Sequence, residues 1–164
     1  MVNDIVIRPA RIKDARRIST AFRLAYTPLF IDQKLSSETI EDMYRDNNVK
    51  NIEERLRGNY FFIAEEASDG GLVGVIGLRK NDGSNKHDRI STFFVLENYR
   101  GKGVGSKLFE KVMEIVNQLG VQKLFVNSSL FAEKIYAKWG FRRVDLKAKK
   151  YPNGDIYKKM FGWN

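Results

Sequence analysis

The run Arg100-Gly101-Lys102-Gly103-Val104-Gly105 has the composition of an anion-binding loop. Three glycines in five positions let the main chain turn tightly, with no Cβ atoms between a ligand and the peptide N–H groups. An apolar, strand-like segment precedes the loop and a helical pattern begins inside it. The first turn of that helix carries N–H donors without intrahelical partners and the positive end of the helix dipole. A phosphate is therefore the expected occupant, and a pyrophosphate the expected cargo. Two common phosphate loops are excluded by spacing: the Walker pattern needs Gly, four residues and Gly-Lys-Ser/Thr, and the dinucleotide fingerprint needs Gly-x-Gly-x-x-Gly. Here the glycines recur at every second position, a spacing that by itself equally suits a tight turn with no ligand.

Other chemistries are removed by composition. There is no cysteine, so disulfides, thiolate metal sites and a cysteine nucleophile are excluded. His87 is the single histidine, which rules out a multi-histidine site, and no metal is expected. The formal net charge of +9 on 164 residues implies a polyanionic partner. A phosphorylated cofactor, RNA, DNA or an acidic protein surface would all satisfy that charge. Much of it lies in Arg142, Arg143, Lys147, Lys149, Lys150, Lys158 and Lys159, which also suit solvated strand faces.

The elements that must hold the loop are legible on both sides. Residues 90–96 read Ile-Ser-Thr-Phe-Phe-Val-Leu, a composition suited to a buried strand. After the loop, Leu108, Val112, Ile115 and Leu119 form an apolar stripe at helical spacing, with Gly120 placed to cap its end. Upstream, residues 5–8 read as a strand, and Ala15, Ile18, Phe22 and Ala25 as the buried stripe of a helix ended by Pro28. A second helical region opens after Ser36-Ser37, with Ile40, Met43 and Tyr44 on one face. Asn47-Asn48 interrupts it, and Val49, Ile52 and Leu56 carry a further turn or two to Gly58. Residues 60–65 and 72–79 read as strands joined by the turn Ser68-Asp69-Gly70-Gly71. Residues 121–127 form another strand, 131–139 a short helix closed by Gly140, and 141–147 with 156–161 a hairpin-like pair. The order is β-α-α-β-β-β-α-β-α-β-β, an α+β arrangement with a mixed, mostly antiparallel sheet and helices on both faces.

The pattern Arg-x-x-Gly-x-Gly after a strand ending in Phe-Val-Leu-Glu-Asn-Tyr resembles the acyl-CoA site of the GNAT superfamily of N-acyltransferases. Ile7-Arg8-Pro9-Ala10, leading to Asp14-Ala15 and Ile18, is similar to that family's opening strand and first helix. Asn127 to Ala132, followed by Ile135-Tyr136-Ala137-Lys138-Trp139-Gly140-Phe141, is similar to its later segment with the Tyr-x-x-x-Gly-Phe signature. These matches stand in the right order and cover nearly the whole chain. The resemblance implies acetyl-CoA as co-substrate and a strand before the loop that splays from the strand after the long helix, leaving main-chain groups to pair with the pantetheine arm. It assigns Phe93, Phe94 and Val95 to that arm and the amides of Gly101, Lys102, Gly103, Val104, Gly105 and Ser106 to the pyrophosphate, with Arg100 positioning the loop. Lys102 either reaches a phosphate or is an exposed lysine. Asn127 and Ser129 either contact the cofactor or cap the next helix.

The same resemblance assigns Tyr136 as general acid, since expulsion of CoA as a thiolate needs a proton and a phenol can donate one. Its spacing with Ile135 and Trp139 also suits plain packing. The position where some relatives carry a glutamate base is Arg89 in this chain. Asp88 is adjacent but on the opposite strand face, Leu124 fills another such position, and His87 reads as a loop histidine. Deprotonation of the amine is therefore expected through water or from the Tyr26 or Tyr60 region.

The acceptor is expected to be a primary amine on a small molecule, a polyamine or a protein N-terminus. Tyr26, Phe30, Tyr44 and Tyr151 are candidate pocket aromatics, and Asp32, Glu38, Glu41 and Asp42 the acids that would favour a cationic acceptor. The alternative is a non-catalytic module that binds CoA or RNA; nucleic acid is not the favoured partner, and a homodimer is left open. Length and the 43% hydrophobic content suit one domain over residues 1–164. Without an apolar run long enough to span a bilayer or a leader-like start, a cytoplasmic protein with no membrane partner is expected.

Overall fold

The computed structural model describes residues 4–32, 34–81, 87–128 and 132–144, apart from the side chain of Asn127, and the backbone of strands at 149–150 and 156–163. Near-continuous apolar runs form β2 (Tyr60–Glu66) and β3 (Leu72–Arg79), which are buried on both faces. With β1 (Ile5–Pro9) and β4 (Arg89–Val95) they make an antiparallel meander. The sheet continues through β5 (Leu124–Ser128) and β8 (Ile156–Trp163) to β6 (Arg142–Arg143), with β7 (Lys149–Lys150) beside β8. The pair β4·β5 is parallel and every other described pair is antiparallel, as the α+β reading expects.

Helices cover both faces. On one side α4 (Val104–Gln118) buries Val104, Leu108, Val112 and Val116 against β2, β3 and β5, joined by Tyr136 of α5 (Glu133–Lys138). This stripe is turned from the expected one, since Ile115 is partly buried and Leu119 is exposed, while Val104 and Val116 join the core and Leu108 packs over Gly74 of β3. On the other side α1 (Ala15–Asp32) and α3 (Val49–Leu56) bury Ile18, Phe22, Ala25, Phe30 and Ile52 against Phe61, Ile63, Val75 and Phe94. The second helical region is two helices, α2 (Ser37–Asp46) and α3. The Ser36 hydroxyl accepts from the Thr39 amide at 3.2 Å, and the Asn48 side chain from the Asn51 amide at 2.9 Å.

Pro28 does not end α1, which continues to Asp32. Its missing N–H leaves the Leu24 carbonyl without a helical donor, but Leu24 is 65% exposed and water can serve that carbonyl. Phe30, two residues on, is 2% exposed in the core, and its burial holds the helix past the proline.

The opening Arg8-Pro9 and Asp14 also acquire a role. Arg8 donates to both oxygens of Asp14 at 2.9 and 3.0 Å and of Glu65 at 2.9 and 2.8 Å. Arg17 donates to Glu65 at 2.8 Å, and the Arg11 amide caps Asp14 at 2.7 Å. Burial pushes the Asp14 carboxyl up, but the Arg8 hydrogen bond, the Arg11 amide and both arginine charges outweigh it and hold it below its ordinary value.

Candidate active site

The parallel pairing of β4 with β5 covers only Arg89 opposite Phe125 and Ile90 opposite Val126. Beyond Ile90, β4 stays on the β3 ladder while β5 turns to β8, and a wedge opens between them. The departure begins at a bulge. Gly77 pairs with Ser91 but Val75 pairs with Phe94, so β4 carries one extra residue. Thr92 takes it up at φ 51, a left-handed conformation that costs a β-branched residue about 1–3 kcal/mol. Tyr26 of α1 fastens the strand just past this point, its hydroxyl donating to the Phe93 carbonyl at 2.9 Å. The Tyr26 ring stacks on Phe22 at 4.7 Å and meets Phe94 edge-on at 6.0 Å.

At the end of β4 the chain makes a short helical turn, Glu97–Tyr99, and enters the glycine loop. Arg100 fixes this corner, donating to the Val95 carbonyl at 2.9 Å and the Ala25 carbonyl at 3.2 Å. Gly101 and Gly103 have φ values of 71 and 81, and Gly103 is the N-cap of α4. The space beside either Cα is open to 4 Å, so backbone conformation, together with access to the amides, demands glycine there. Gly105 answers to packing instead, since a Cβ would lie 3.2 Å from the Phe93 ring. The amides of Val104, Gly105 and Ser106 form the donor-rich first turn of a fifteen-residue helix.

Wedge and loop open into one cleft of about 450 Å³, lined by Tyr26, Leu29, Phe93, Phe94, Val95, Tyr99, Arg100, Gly101, Gly103, Gly105, Ser106, Ala132, Ile135, Lys138 and Trp139. Of the residues expected at the cofactor, Phe93, Phe94, Val95, Arg100, Gly101, Gly103, Gly105 and Ser106 meet in this cleft. Val104 turns its side chain into the core, and Lys102 rests its ammonium 5.7 Å from the centre of the Tyr99 ring. Asn127 pairs through its backbone with Met160 on β8; its side chain and all of Ser129 lie outside the described residues. The free edge of β4, the unpaired amides and the two cations Arg100 and Lys138 fit an amide-containing arm ending in a pyrophosphate.

Tyr136 lies behind this wall, 4% exposed, its ring 6.1 Å from Phe93, 6.0 Å from Trp139 and 5.6 Å from Phe141. Burial, and then the neighbouring Tyr26 phenol, hold its pKa well above the ordinary tyrosine value. Tyr26 is itself pushed up to about 12 by burial, against the Arg100 charge. Both phenols are thus protonated at neutral pH.

No carboxylate is among the described residues lining the cleft. Asp88 accepts the Asn81 amide at 2.7 Å, Leu124 is fully buried, and His87 stacks on Phe125 at 4.2 Å. Of the candidate aromatics, Tyr26 lines the cleft, whereas Phe30 is core and Tyr44 packs against Phe30 and Arg23; Tyr151 lies outside the described residues. Leu29, Tyr99, Lys138 and Trp139 also line the cleft and are not among the residues that the sequence marks for it. The signal for Trp139 was its place one turn after Ile135 on a short helix, but which face met β4 depended on the tertiary fold.

A family model described as an acetyltransferase (GNAT) domain matches residues 31–160. No curated protein sequence matches the chain. Among solved structures, a GCN5-related N-acetyltransferase from Rhodopseudomonas palustris superposes with a TM-score of 0.77 at 21% identity, covering 99% of this chain and 97% of that one. The PaiA N-acetyltransferase of Thermoplasma acidophilum, solved with coenzyme A, gives 0.78 at 18% identity, with 96% and 98% covered. The spermidine/spermine N-acetyltransferase SpeG of Vibrio cholerae gives 0.63 at 16% identity, with 98% and 94% covered. At these identities the likeness is one of fold.

Proposed function

The chain belongs to the acetyltransferase (GNAT) domain family and is an acetyl-CoA-dependent N-acetyltransferase, and from that premise we propose that it acetylates a primary amine in the wedge between β4 and β5, with Tyr136 as proton donor. The observation that carries this reading is the convergence of the free β4 edge and the α4 N-terminus on one cleft. The amides of residues 101–106 hold the pyrophosphate, with Arg100 and Lys138 adding positive charge and the Ser106 hydroxyl a hydrogen bond. Phe93, Phe94 and Val95 offer main-chain groups to the pantetheine arm. Residues 1–164 are read as one domain around this site.

The acetyl donor supplies a thioester whose cleavage releases a thiolate. The Tyr136 hydroxyl makes no hydrogen bond among the described residues, so its proton is uncommitted. With a pKa raised by burial it keeps that proton at neutral pH and yields it as negative charge develops on the sulfur. The acceptor's ammonium proton leaves to water, since no carboxylate lines the described cleft. Tyr26 holds Phe93 in place and serves as a positioning residue.

Acetyl-CoA at 100 times its dissociation constant should stabilise the fold by ~2.7 kcal/mol and raise the melting temperature by several degrees. A panel of primary amines, followed by thiol release, then reports turnover. The absence of any shift at millimolar acetyl-CoA would overturn the assignment.

A further inference from the structure

At the closed end of the wedge, β3 and β4 set Arg79 directly opposite Arg89. Leu78 and Ile90 belong to the core beneath α4, so strand alternation places both arginines on the face covered by α1 and α3. Gly77, two residues from Arg79 on that face, lies under the Phe61 ring of the second core. Arg55 of α3 is electrostatically coupled to Arg79. Its pKa is lowered, first by burial and next by the charge of Arg79, while the Asp46 charge acts the other way. Its donors go to the Asn47 side-chain oxygen at 2.9 Å and to the Asp46 carbonyl.

Like charges directly opposite on neighbouring strands are destabilising, and a buried guanidinium donor without an acceptor carries a desolvation cost. Arg79 shows both features: it forms no ion pair among the described residues, and its buried Nε has no hydrogen-bond partner. An oxyanion would relieve both, and a guanidinium matches the geometry of carboxylate or phosphate.

The place is informative as well. Arg89 precedes Thr92, the bulged residue of β4, by three residues, on the order of 10 Å of strand. The Ser91 and Thr92 hydroxyls, 3.2 Å apart, lie between. Across the ladder Phe125, with His87 stacked on it, supplies an aromatic wall.

We propose that Arg79, set opposite Arg89, binds an oxyanion carried by the acceptor, so that the substrate is a molecule with a primary amine at one end and a carboxylate or phosphate at the other. This rests on the acetyl-transfer reading above. It separates the chain from enzymes for polycationic acceptors, for which this end of the wedge has the wrong sign.

The test uses acceptors alike in amine and chain length: an ω-aminoalkanoate, its carboxamide, the ω-aminoalkyl phosphate and the diamine. The wild-type protein should favour the acidic acceptors over the carboxamide by tenfold or more in kcat/KM, with the diamine poorest. Arg79→Gln should collapse that ratio toward one, chiefly through KM, and Arg79→Lys should restore part of it. A melting curve with acetyl-CoA checks that each variant folds and binds the donor. A diamine as good as the acid, or an Arg79→Gln loss equal for all acceptors, would overturn the proposal. A second arm titrates inorganic phosphate into the acetyl-CoA complex at fixed ionic strength. Binding that weakens in Arg79→Gln and competes with the acidic acceptor supports the proposal. Binding that does not compete marks a separate anion site and sinks the substrate assignment. If neither arm responds to Arg79→Gln, the guanidinium is satisfied within the protein and the idea fails. A protein that shows no acetyl-CoA shift refutes the acetyl-transfer reading instead, and phosphate titrated into the free wild-type and Arg79→Gln proteins then judges the arginine site alone.

Discussion

The ion cluster at the start of the chain and the glycine loop before α4 are both rich in polar groups, yet they are finished in opposite ways. Around Asp14 each carboxylate oxygen meets an arginine or an amide of the protein itself, and the group is closed. Around Gly103 the first-turn amides meet no acceptor among the described residues, and the side chains that would cover them are missing because the residues are glycine. Internal satisfaction fastens β1 and β2 to the entrance of α1. Unsatisfied donors are a binding surface, and their solvation is exchanged for a ligand's oxygens. Polar density therefore does not by itself locate a site; what locates it is where the accounting is left open.

Breaking the closed cluster should have the largest effect. Asp14→Ala leaves Arg8 and Arg17 partly unpaired beside the core, and about 3–5 kcal/mol of stability should go. Thermal melts would show this as a loss of roughly 6–20 °C, at about 2–4 °C per kcal/mol, while acetyl-CoA affinity in the folded protein is retained. The pH dependence has a definite sign. Asp14 and Glu65 are both held below their ordinary values, so their contribution is present above the unfolded carboxylate pKa of ~4 and is lost as pH falls below it. The wild-type curve should steepen below pH 4, and Asp14→Ala should flatten it.

Closing the open region comes next. Gly103→Val puts a β-branched residue at φ 81 and a side chain over the amides, and should abolish the ~2.7 kcal/mol of stabilisation by acetyl-CoA while an apo fold survives. Affinity equal to wild type would make the loop an ordinary turn. Tyr136→Phe, which keeps the ring among Phe93, Trp139 and Phe141, should lower kcat by about 10²-fold with little change in acetyl-CoA affinity. Equal losses in both would make it a binding residue. Tyr26→Phe removes one hydrogen bond from the bulged strand and should cost about 1 kcal/mol, read as a several-fold fall in kcat/KM for acetyl-CoA. No change in that ratio would mean that the bulge holds itself.

Much of the site was legible because it is local. The glycine loop, the strand before it and the helix after it are contiguous, and their residue types report their own backbone needs. Tyr136 was found through the resemblance alone, since its helical spacing favours packing as much as chemistry. Lys138 and Trp139 were passed over because they reach the cleft only once α5 has packed beside Phe93. Pro28 misled for a similar reason: the proline rule is local, whereas Phe30 is held by a core drawn from α1, α3, β2, β3 and β4.

The sequence by itself determined the glycine turn, the long helix, the strands of the meander and the charge that calls for an anion, because each depends on neighbours a few residues away. Only the tertiary structure decided where β4 parts from β5, that Thr92 bulges, that Tyr26 fastens Phe93, and that Arg79 faces Arg89. Register and bulge are set by hydrogen bonding between strands distant in sequence, and a shift of one residue moves every side chain to the other face.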